Sequence, residues 1–475
     1  MADENSNDCV DRMEVDVLHA QTLPDSKVPE PPCRAQAGLP FDVLSHIFLE
    51  CLPDKGFPTL STKVAPMTLG RVCSYWRDVA LATHVLWAAF NVTSLYYYSS
   101  TGYLSNGRCA LGLQEWIRRA GQCALSFHVS FYSTNDPGMD VVDTILLHRR
   151  RWKYAEGHLP ADKWEYVVSA IAEGTPLLEH FDISTDHGYT STIQLSSTPF
   201  LQTLMIKSTH KVLGLEACGR SLRRLSIRIA NWNDGWSYLV SCPNLEIFEV
   251  ESEHDSGSFR VDSDVEVLEA RNLVSLRISL TTASPLLDRL HCPVLKTIYF
   301  DSCDTDSILV SFLARSSPPL ESLTITAPFS SEILLDCLYH TPALKSLTVY
   351  RRPVLTHADV KALQLGPDAE KNICPGLQNI NFETCVGYSN MKPMVEMVVS
   401  RWRNGGVFHC MNSEGTSAQG CQLERTLRSI RLGGCDFVEY SSYDSAYFAS
   451  QPEIARCIEE GLEVSEEPPS DSDSD

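Results

Sequence analysis

Residues 320–349 read LESLTITAPFSSEILLDCLYHTPALKSLTV, and this stretch decides the fold. It opens on Leu320, Leu323 and Ile325 and closes on Leu344, Leu347 and Val349. Apolar residues at an anchor and at its third and fifth successors leave alternate positions apolar, as one face of a short strand requires. Between the two strands, Ser331–Tyr339 carries apolar residues at helical spacing. Thr341-Pro342 stops that helix just before the next anchor. One strand and one helix therefore make a unit of about two dozen residues that can stack on its neighbours.

Working outward, the same unit recurs. Its anchors are Leu178, Leu201, Leu222, Leu245, Leu273, Leu295, Leu320, Leu344, Leu377 and Leu427. The third successors are Phe181, Leu204, Leu225, Phe248, Leu276, Ile298, Leu323, Leu347, Ile380 and Ile430. The fifth are Ile183, Ile206, Ile227, Val250, Ile278, Phe300, Ile325, Val349, Phe382 and Leu432. Every one of these positions is apolar, and the first eight anchors are spaced by 23, 21, 23, 28, 22, 25 and 24 residues. Asp306–Ala314 is a second inter-strand segment with helical periodicity. Spacing and pattern resemble leucine-rich repeats. The resemblance implies a curved solenoid with a parallel sheet on its inner face. Cys303, Cys385 and Cys435 fall at the Asn-or-Cys site of that pattern, while Cys242, Cys292 and Cys374 precede the strand. Packing is the expected role of these cysteines.

The fourth successors point away from the core: Asp182, Met205, Ser226, Glu249, Arg277, Tyr299, Thr324, Thr348, Asn381 and Arg431. Of these, Asp182, Met205, Glu249, Arg277, Tyr299, Asn381 and Arg431 are the candidate substrate contacts. The row mixes charges, as a protein-binding groove does, although a plain solvated strand surface has the same pattern. Spacings widen to 33 and 50 toward the end, where Met394–Trp402 is a longer amphipathic helix and another is expected from Pro452 to Glu460. Upstream, Gln114–Phe131 is an atypical first unit, with Leu125, Phe127 and Val129 alternating as its strand.

Between Leu39 and about Val92 the pattern is compact and helical. Pro40 suits a first helical turn, and Asp42 complements the positive helix end. Val43, Leu44, Ile47, Phe48, Cys51 and Leu52 form one broad stripe before Pro53-Asp54-Lys55-Gly56 stops the helix. A second helix is expected from about Pro66 to Leu81, and Leu86-Trp87 closes the cluster. The run LPFDVLSHIFLECL, a loop, then LGRVCSYWRDVALATHVLW resembles an F-box over about fifty-four of 475 residues. The matching residues are Leu39, Pro40, Asp42, Leu44, Ile47, Phe48, Val72, Cys73, Trp76, Arg77 and Trp87, with a longer insert at 53–65. The segments LQEWIRRAGQCALSFHVSF (113–131) and HRRRWKYAEGHL (148–159) resemble the downstream region of F-box proteins from mushroom-forming fungi.

The expected architecture is α/β: a small all-helical F-box module, then a leucine-rich-repeat solenoid. The expected organisation is a disordered acidic tail (1–37), the F-box-like domain (38–92), a linker with atypical repeat units (93–175) and the repeats (176–440). A capping region (441–460) and a disordered acidic tail (461–475) follow. The F-box resemblance implies a Skp1-type adaptor as partner and, through it, a cullin-based ubiquitin ligase, with the repeats holding an unknown protein substrate. The adaptor contacts it implies are Leu39, Pro40, Val43, Leu44, Ile47, Phe48, Val72, Cys73 and Trp76, with Val72, Cys73, Trp76 and Trp87 also completing the module's core. A scaffold whose F-box acts outside ubiquitin transfer remains the alternative.

Composition excludes other classes. Thirty-nine basic against 60 acidic residues give a balance of −21, which disfavours nucleic acid as ligand. Arg149-Arg150-Arg151 reads as a solvated loop or a local anion contact. No apolar run is long enough to span a bilayer. Seventeen cysteines without a Cys-x-x-Cys pair, and an acidic start without a secretory profile, point to reduced thiols in the cytoplasm or nucleus. No phosphate loop, zinc-protease motif, nucleophile elbow or dinucleotide fingerprint occurs, so no catalytic residue, metal or cofactor is expected. Tyr96-Tyr97-Tyr98 reads equally as a contact patch or as cover for a domain junction.

Overall fold

The computed structural model describes residues 39–93, 108–133, 136, 139–186, 188–252, 267–281, 283–302, 307–326, 330–350, 355–368, 371–383, 391–404, 426–433 and 448–467. The expected tail 1–37, Tyr96–Tyr98, Cys303, Cys385 and Cys435 lie outside them. The chain is mixed α/β, its large sheet parallel throughout its registered pairs, and it divides into two compact units, 1–227 and 228–475.

The first unit begins with helix α1, Phe41–Glu50, entered from Pro40 in an extended conformation and with Asp42 in its first turn. Helix α2 spans Ser74–Ala82, later than the expected start near Pro66. Cys73 is fully extended, and its Sγ accepts the Trp76 N–H at 3.4 Å, so it starts a new helix and leaves only a 3₁₀ turn at Leu69–Arg71. Trp87 ends the helical part; its Nε1–H donates to Ala80 O at 2.8 Å and its ring meets Trp116 edge-on at 5.0 Å. Strand β1 (Ala89–Thr93), α3 (Arg108–Arg119), β2 (Leu125–Ser130), α4 (Asp140–Leu146), β3 (Trp152–His158), α5 (Ala161–Glu173) and β4 (His180–Ser184) follow. After them come β5 (Thr192–Gln194), β6 (Thr203–Thr209), β7 (Lys211–Leu213) and β8 (Arg224–Arg228). The sheet order is β1-β2-β3-β4-β6-β8, while β5 and β7 pair separately.

The parallel ladder thus starts upstream of residue 176: β1 to β3 occupy the stretch expected to hold a domain end, a linker and atypical units. Leu125, Phe127 and Val129 are buried as expected. Strand β3 escaped the pattern because its inward positions after Trp152 are Ala155 and Gly157, too small to register as apolar anchors. Gly157 has φ +142°, and a Cβ there would stand 1.8 Å from Val129 O. Only glycine lets β2 and β3 pair this closely.

The second unit contains α6 (Trp232–Ser241), β9 (Ile247–Glu251), β10 (Leu268–Glu269), β11 (Ser275–Leu280), α7 (Ser284–Leu287), β12 (Leu290–His291) and β13 (Thr297–Ser302). It continues with α8 (Ile308–Ser316), β14 (Ser322–Ile325), α9 (Ser331–Tyr339), β15 (Ser346–Tyr350), α10 (His357–Ala362) and β16 (Asn379–Glu383). It closes with α11 (Lys392–Asn404), β17 (Ser429–Gly433), α12 (Pro452–Glu459) and β18 (Glu463–Glu467). The order is β9-β11-β13-β14-β15-β16-β17-β18, and β10 pairs with β12. Local signals set the helix starts. Ser330 Oγ accepts the Ile333 N–H to cap α9, and Thr356 and Asp359 form a reciprocal capping box on α10.

All thirty anchor positions, across the two units, are at most 3% exposed. In the second unit they align across the ladder: Phe248, Leu276, Ile298, Leu323, Leu347, Ile380 and Ile430 are successive register partners. Val250, Ile278, Phe300, Ile325, Val349, Phe382 and Leu432 form the next row. Buried faces of the connecting helices, such as Leu309, Phe312 and Leu313 of α8 or Leu334, Cys337 and Leu338 of α9, supply the rest of the core.

The end of the chain departs from expectation. Glu463–Glu467, read as part of an acidic tail, pairs with β17 along its whole length. Carboxylate density pointed to disorder, but a strand needs only alternate residues turned inward. Glu466 then accepts the backbone N–H of Phe448 at 2.6 Å and of Ala449 at 3.3 Å.

Candidate partner-binding surfaces

Two surfaces carry the residues singled out by the sequence. The first lies on α1 and the start of α2. Leu44 and Phe48 are 1% and 0% exposed, and Phe48 packs on Trp76 with ring centroids 4.9 Å apart. They hold the helices together and are closed to a partner, which corrects their expected role as adaptor contacts. One stripe at i, i+4 and i+8 faces outward instead: Leu39, Val43 and Ile47, at 48%, 43% and 40% exposure. A helix that buries 44 and 48 must turn 43 and 47 elsewhere, because four residues make just over one turn. Pro40 is exposed beside them and Tyr75 Oη donates to Leu39 O at 3.3 Å, joining the two helices at this edge. Val72 is 53% exposed and completes no core, against expectation, because it stands before the fresh helix start at Cys73. Cys73 and Trp76 are half-buried and Trp87 is buried.

The 53–65 insert folds back on the sheet of its own unit. The Asn91 N–H donates to Pro58 O at 2.8 Å, Thr59 bridges to Asn91, and the Phe57 ring meets Tyr154 edge-on at 5.3 Å. The long loop is therefore a brace between the helices and the first strands.

The second surface is the outward face of the sheet, described for each unit. In the second unit, Glu249, Arg277, Tyr299, Thr324, Thr348, Asn381 and Arg431 form one continuous registered row. Arg277 lies over the Tyr299 ring at 3.7 Å, and its Nε is 3.7 Å from Glu251, so one face and one edge of the guanidinium are engaged. Alongside runs a second row, Ser275, Thr297, Ser322, Ser346, Asn379 and Ser429. Hydroxyls and amides around a few large anchors suit adaptable protein contacts.

In the first unit, Asp182 is on β4, Met205 on β6 and Ser226 on β8. Asp182 is buried rather than solvent-facing, and burial first, with Glu156 adding to it, pushes its carboxyl up against the opposing pull of Lys207 at 3.1 Å. Sequence reasoning missed the residues beside it. Glu156 on β3 is the register partner of Asp182 and of His128 on β2. Tyr154 stacks flat on His180, centroids 3.8 Å apart, and burial followed by the Glu156 charge raises the Tyr154 phenol to about 12. Tyr154 and Glu156 sit on β3, a strand that had no apolar signature, so no signal in the chain marked them.

The cysteines expected to pack do so: Cys242, Cys292 and Cys374 are buried. Burial pushes the Cys292 thiol up to about 12 and the Cys374 thiol up to about 11, far from a reactive thiolate. Among the described residues no group of three or more His, Cys, Asp or Glu is placed to hold a metal ion. No described helix is long and apolar enough to cross a membrane. Arg149 of the basic triplet pairs with Glu173 at 2.6 Å and Arg151 donates to Cys123 O at 3.0 Å. No family model matches this chain, and no curated protein matches it either.

Proposed function

We propose that this protein is a non-enzymatic receptor: an F-box binds a Skp1-type adaptor, and through it a cullin-RING ubiquitin ligase, while a leucine-rich-repeat solenoid binds the protein substrate. The observation that carries the reading is the apolar edge formed by Leu39, just before the helix, and Val43 and Ile47 on it, left open while the helix's other side is sealed by Leu44 and Phe48. Exposed apolar residues aligned on one rigid edge cost solubility unless a partner covers them. Val72 and the half-buried Trp76 extend the same apolar character. The registered rows of the sheet support a repeat array whose outward face is the substrate surface. The mechanism is proximity: holding a target beside the ligase raises its local concentration, and this chain does no bond chemistry. Such an assembly works in the cytoplasm or nucleus.

The test is capture of a Skp1-type adaptor by the full chain. Val43→Asp with Ile47→Asp is expected to abolish capture, each buried charge costing about 2 kcal/mol or more at an interface centre. Capture that survives the double variant refutes the proposal. Adaptor capture without recovery of a cullin favours a scaffold acting outside ubiquitin transfer.

A further inference from the structure

The ladder of the second unit ends on β18, whose outer edge is open. The Glu463 N–H donates to Arg428 O at 3.0 Å, so the backbone of Glu463 faces β17. In a parallel ladder, alternate residues bond to alternate sides, which turns the N–H and C=O of Val464 and Glu466 toward the outer edge. Among the described residues no strand lies beyond β18, and no group bonds to the backbone of Val464 or Glu466. In the first unit the corresponding edge, on β1, is bridged by Thr59 of the 53–65 brace.

Val464 is half-buried although its register partner Ile430 is only 1% exposed, because no further strand covers it. A bare edge of this kind is a template for an added strand. Charge decides which strand. Residues 456–467 hold Glu459, Glu460, Glu463, Glu466 and Glu467 against Arg456. Glu463 is exposed, and among the described residues no lysine or arginine pairs with it. A second copy of β18 laid antiparallel about Ser465 would set Glu463 opposite Glu467, and like charges directly opposite weaken a sheet. The chain's own flanking segments fit no better. Residues 434–447 carry Asp436, Glu439 and Asp444, residues 468–475 carry Asp471, Asp473 and Asp475, and neither has a lysine or arginine. A basic strand from another protein is attracted where all three of these are repelled.

We infer that the outer edge of β18 pairs with an extended segment of a partner protein in which basic and apolar residues alternate. Val464 continues the inward row and Glu463 the outward one, so the apolar residues cover Val464 and the basic ones face Glu463. The inference does not depend on the adaptor reading, since the apolar edge of α1 takes no part in it.

The experiment titrates the full chain into a dilute labelled peptide of alternating lysine and valine, followed by fluorescence anisotropy. Matched peptides replace lysine with glutamate, or carry N-methyl groups on the valine nitrogens or on the lysine nitrogens. The glutamate peptide is expected to bind about tenfold or more weakly. One of the two N-methyl peptides is expected to lose about tenfold or more, because only alternate N–H groups of an added strand face β18. Val464→Pro removes an edge N–H and no ladder bond, so it is expected to weaken the lysine peptide about tenfold while exchange protection in β17 persists. Glu463→Gln is expected to cost about fivefold, and Glu332→Gln on α9, an equal change in net charge, less than about twofold. Full affinity in both N-methyl peptides overturns the inference, as does equal binding of the lysine and glutamate peptides, equal damage from Glu463→Gln and Glu332→Gln, or a Kd above about 1 mM for the lysine peptide. A dimer of the free chain that Val464→Pro dissociates puts a second copy on the edge and overturns it too. Should Val464→Pro disorder β18, the peptide series on the unaltered chain still decides. Adaptor capture by Glu463→Gln is expected to be normal, so failure here leaves the adaptor reading intact, and failure there leaves this one.

Discussion

Replacing Arg401 with methionine is expected to loosen the C-terminal part of the second unit by about 2 kcal/mol, the centre of a range of roughly 0–4 kcal/mol left by opposing effects. Arg401 is on α11, 1% exposed, and no described carboxylate pairs with it. Its guanidinium donates to Leu363 O at 2.8 Å, Ile373 O at 2.8 Å and Cys374 O at 2.9 Å, tying the helix to the segment that leads into β16. Cys374 O also accepts the Leu377 N–H at 3.3 Å and would keep that bond. Leu363 O and Ile373 O would lose the arginine donor, each at about 1–3 kcal/mol, and the third bond adds about 1 kcal/mol. Against this, burial lowers the guanidinium pKa from its ordinary value to about 10. Methionine removes that penalty, worth about 3 kcal/mol at 1.36 kcal/mol per unit. The lost bonds win by a modest margin. Arg401→Lys should be worse than Arg401→Met, because it keeps a buried charge without a three-pronged donor. Urea unfolding of the full chain, with hydrogen-exchange protection followed over residues 363–374 and 392–404, measures the order. If Arg401→Met matches the wild type within about 0.5 kcal/mol, or Arg401→Lys proves the more stable variant, the account of this residue is wrong.

The remaining predictions concern the first unit. His210 is buried against Trp164, with rings 5.0 Å apart, and its Nδ1 accepts the Ser191 N–H at 3.0 Å, which requires a neutral ring. Burial pushes its pKa down from 6.5 to about 4, the Glu165 charge opposing this only in part. The folded chain therefore resists protonation while the unfolded chain accepts it. Stability is full above about pH 6.5 and falls as pH drops toward 4, by up to about 3 kcal/mol. Urea midpoints against pH should show this slope, and His210→Gln should flatten it. Gly157→Ala puts a Cβ against Val129 O, so a loss above about 4 kcal/mol is expected, with exchange protection lost first in β2; near-native stability would contradict the close approach. Leu44→Asp should unfold the helical segment by circular dichroism, while Val43→Asp with Ile47→Asp should leave its helicity intact, since only the former buries its charge in the core.

What the chain's own order of residues settled is the repeating part. Apolar period two, recurring every two dozen residues, has one economical burial, strands side by side in a parallel ladder, and all thirty positions are buried there. Helix positions such as Ser331–Tyr339 followed from local spacing and caps. Tertiary structure alone decided which face of a helix or strand is open. Leu44 and Val43 are adjacent and both apolar; packing against Trp76 through Phe48 gives one to the core and the other to solvent. Strand β3 and strand β18 were illegible because small residues or carboxylates occupy them, and neighbouring backbones rather than their own composition order them. Glu156 and Tyr154 on β3, His180 on β4 and Phe57 in the 53–65 loop come from two strands and a loop far apart in sequence, so their meeting depends on ladder register, which no single segment encodes.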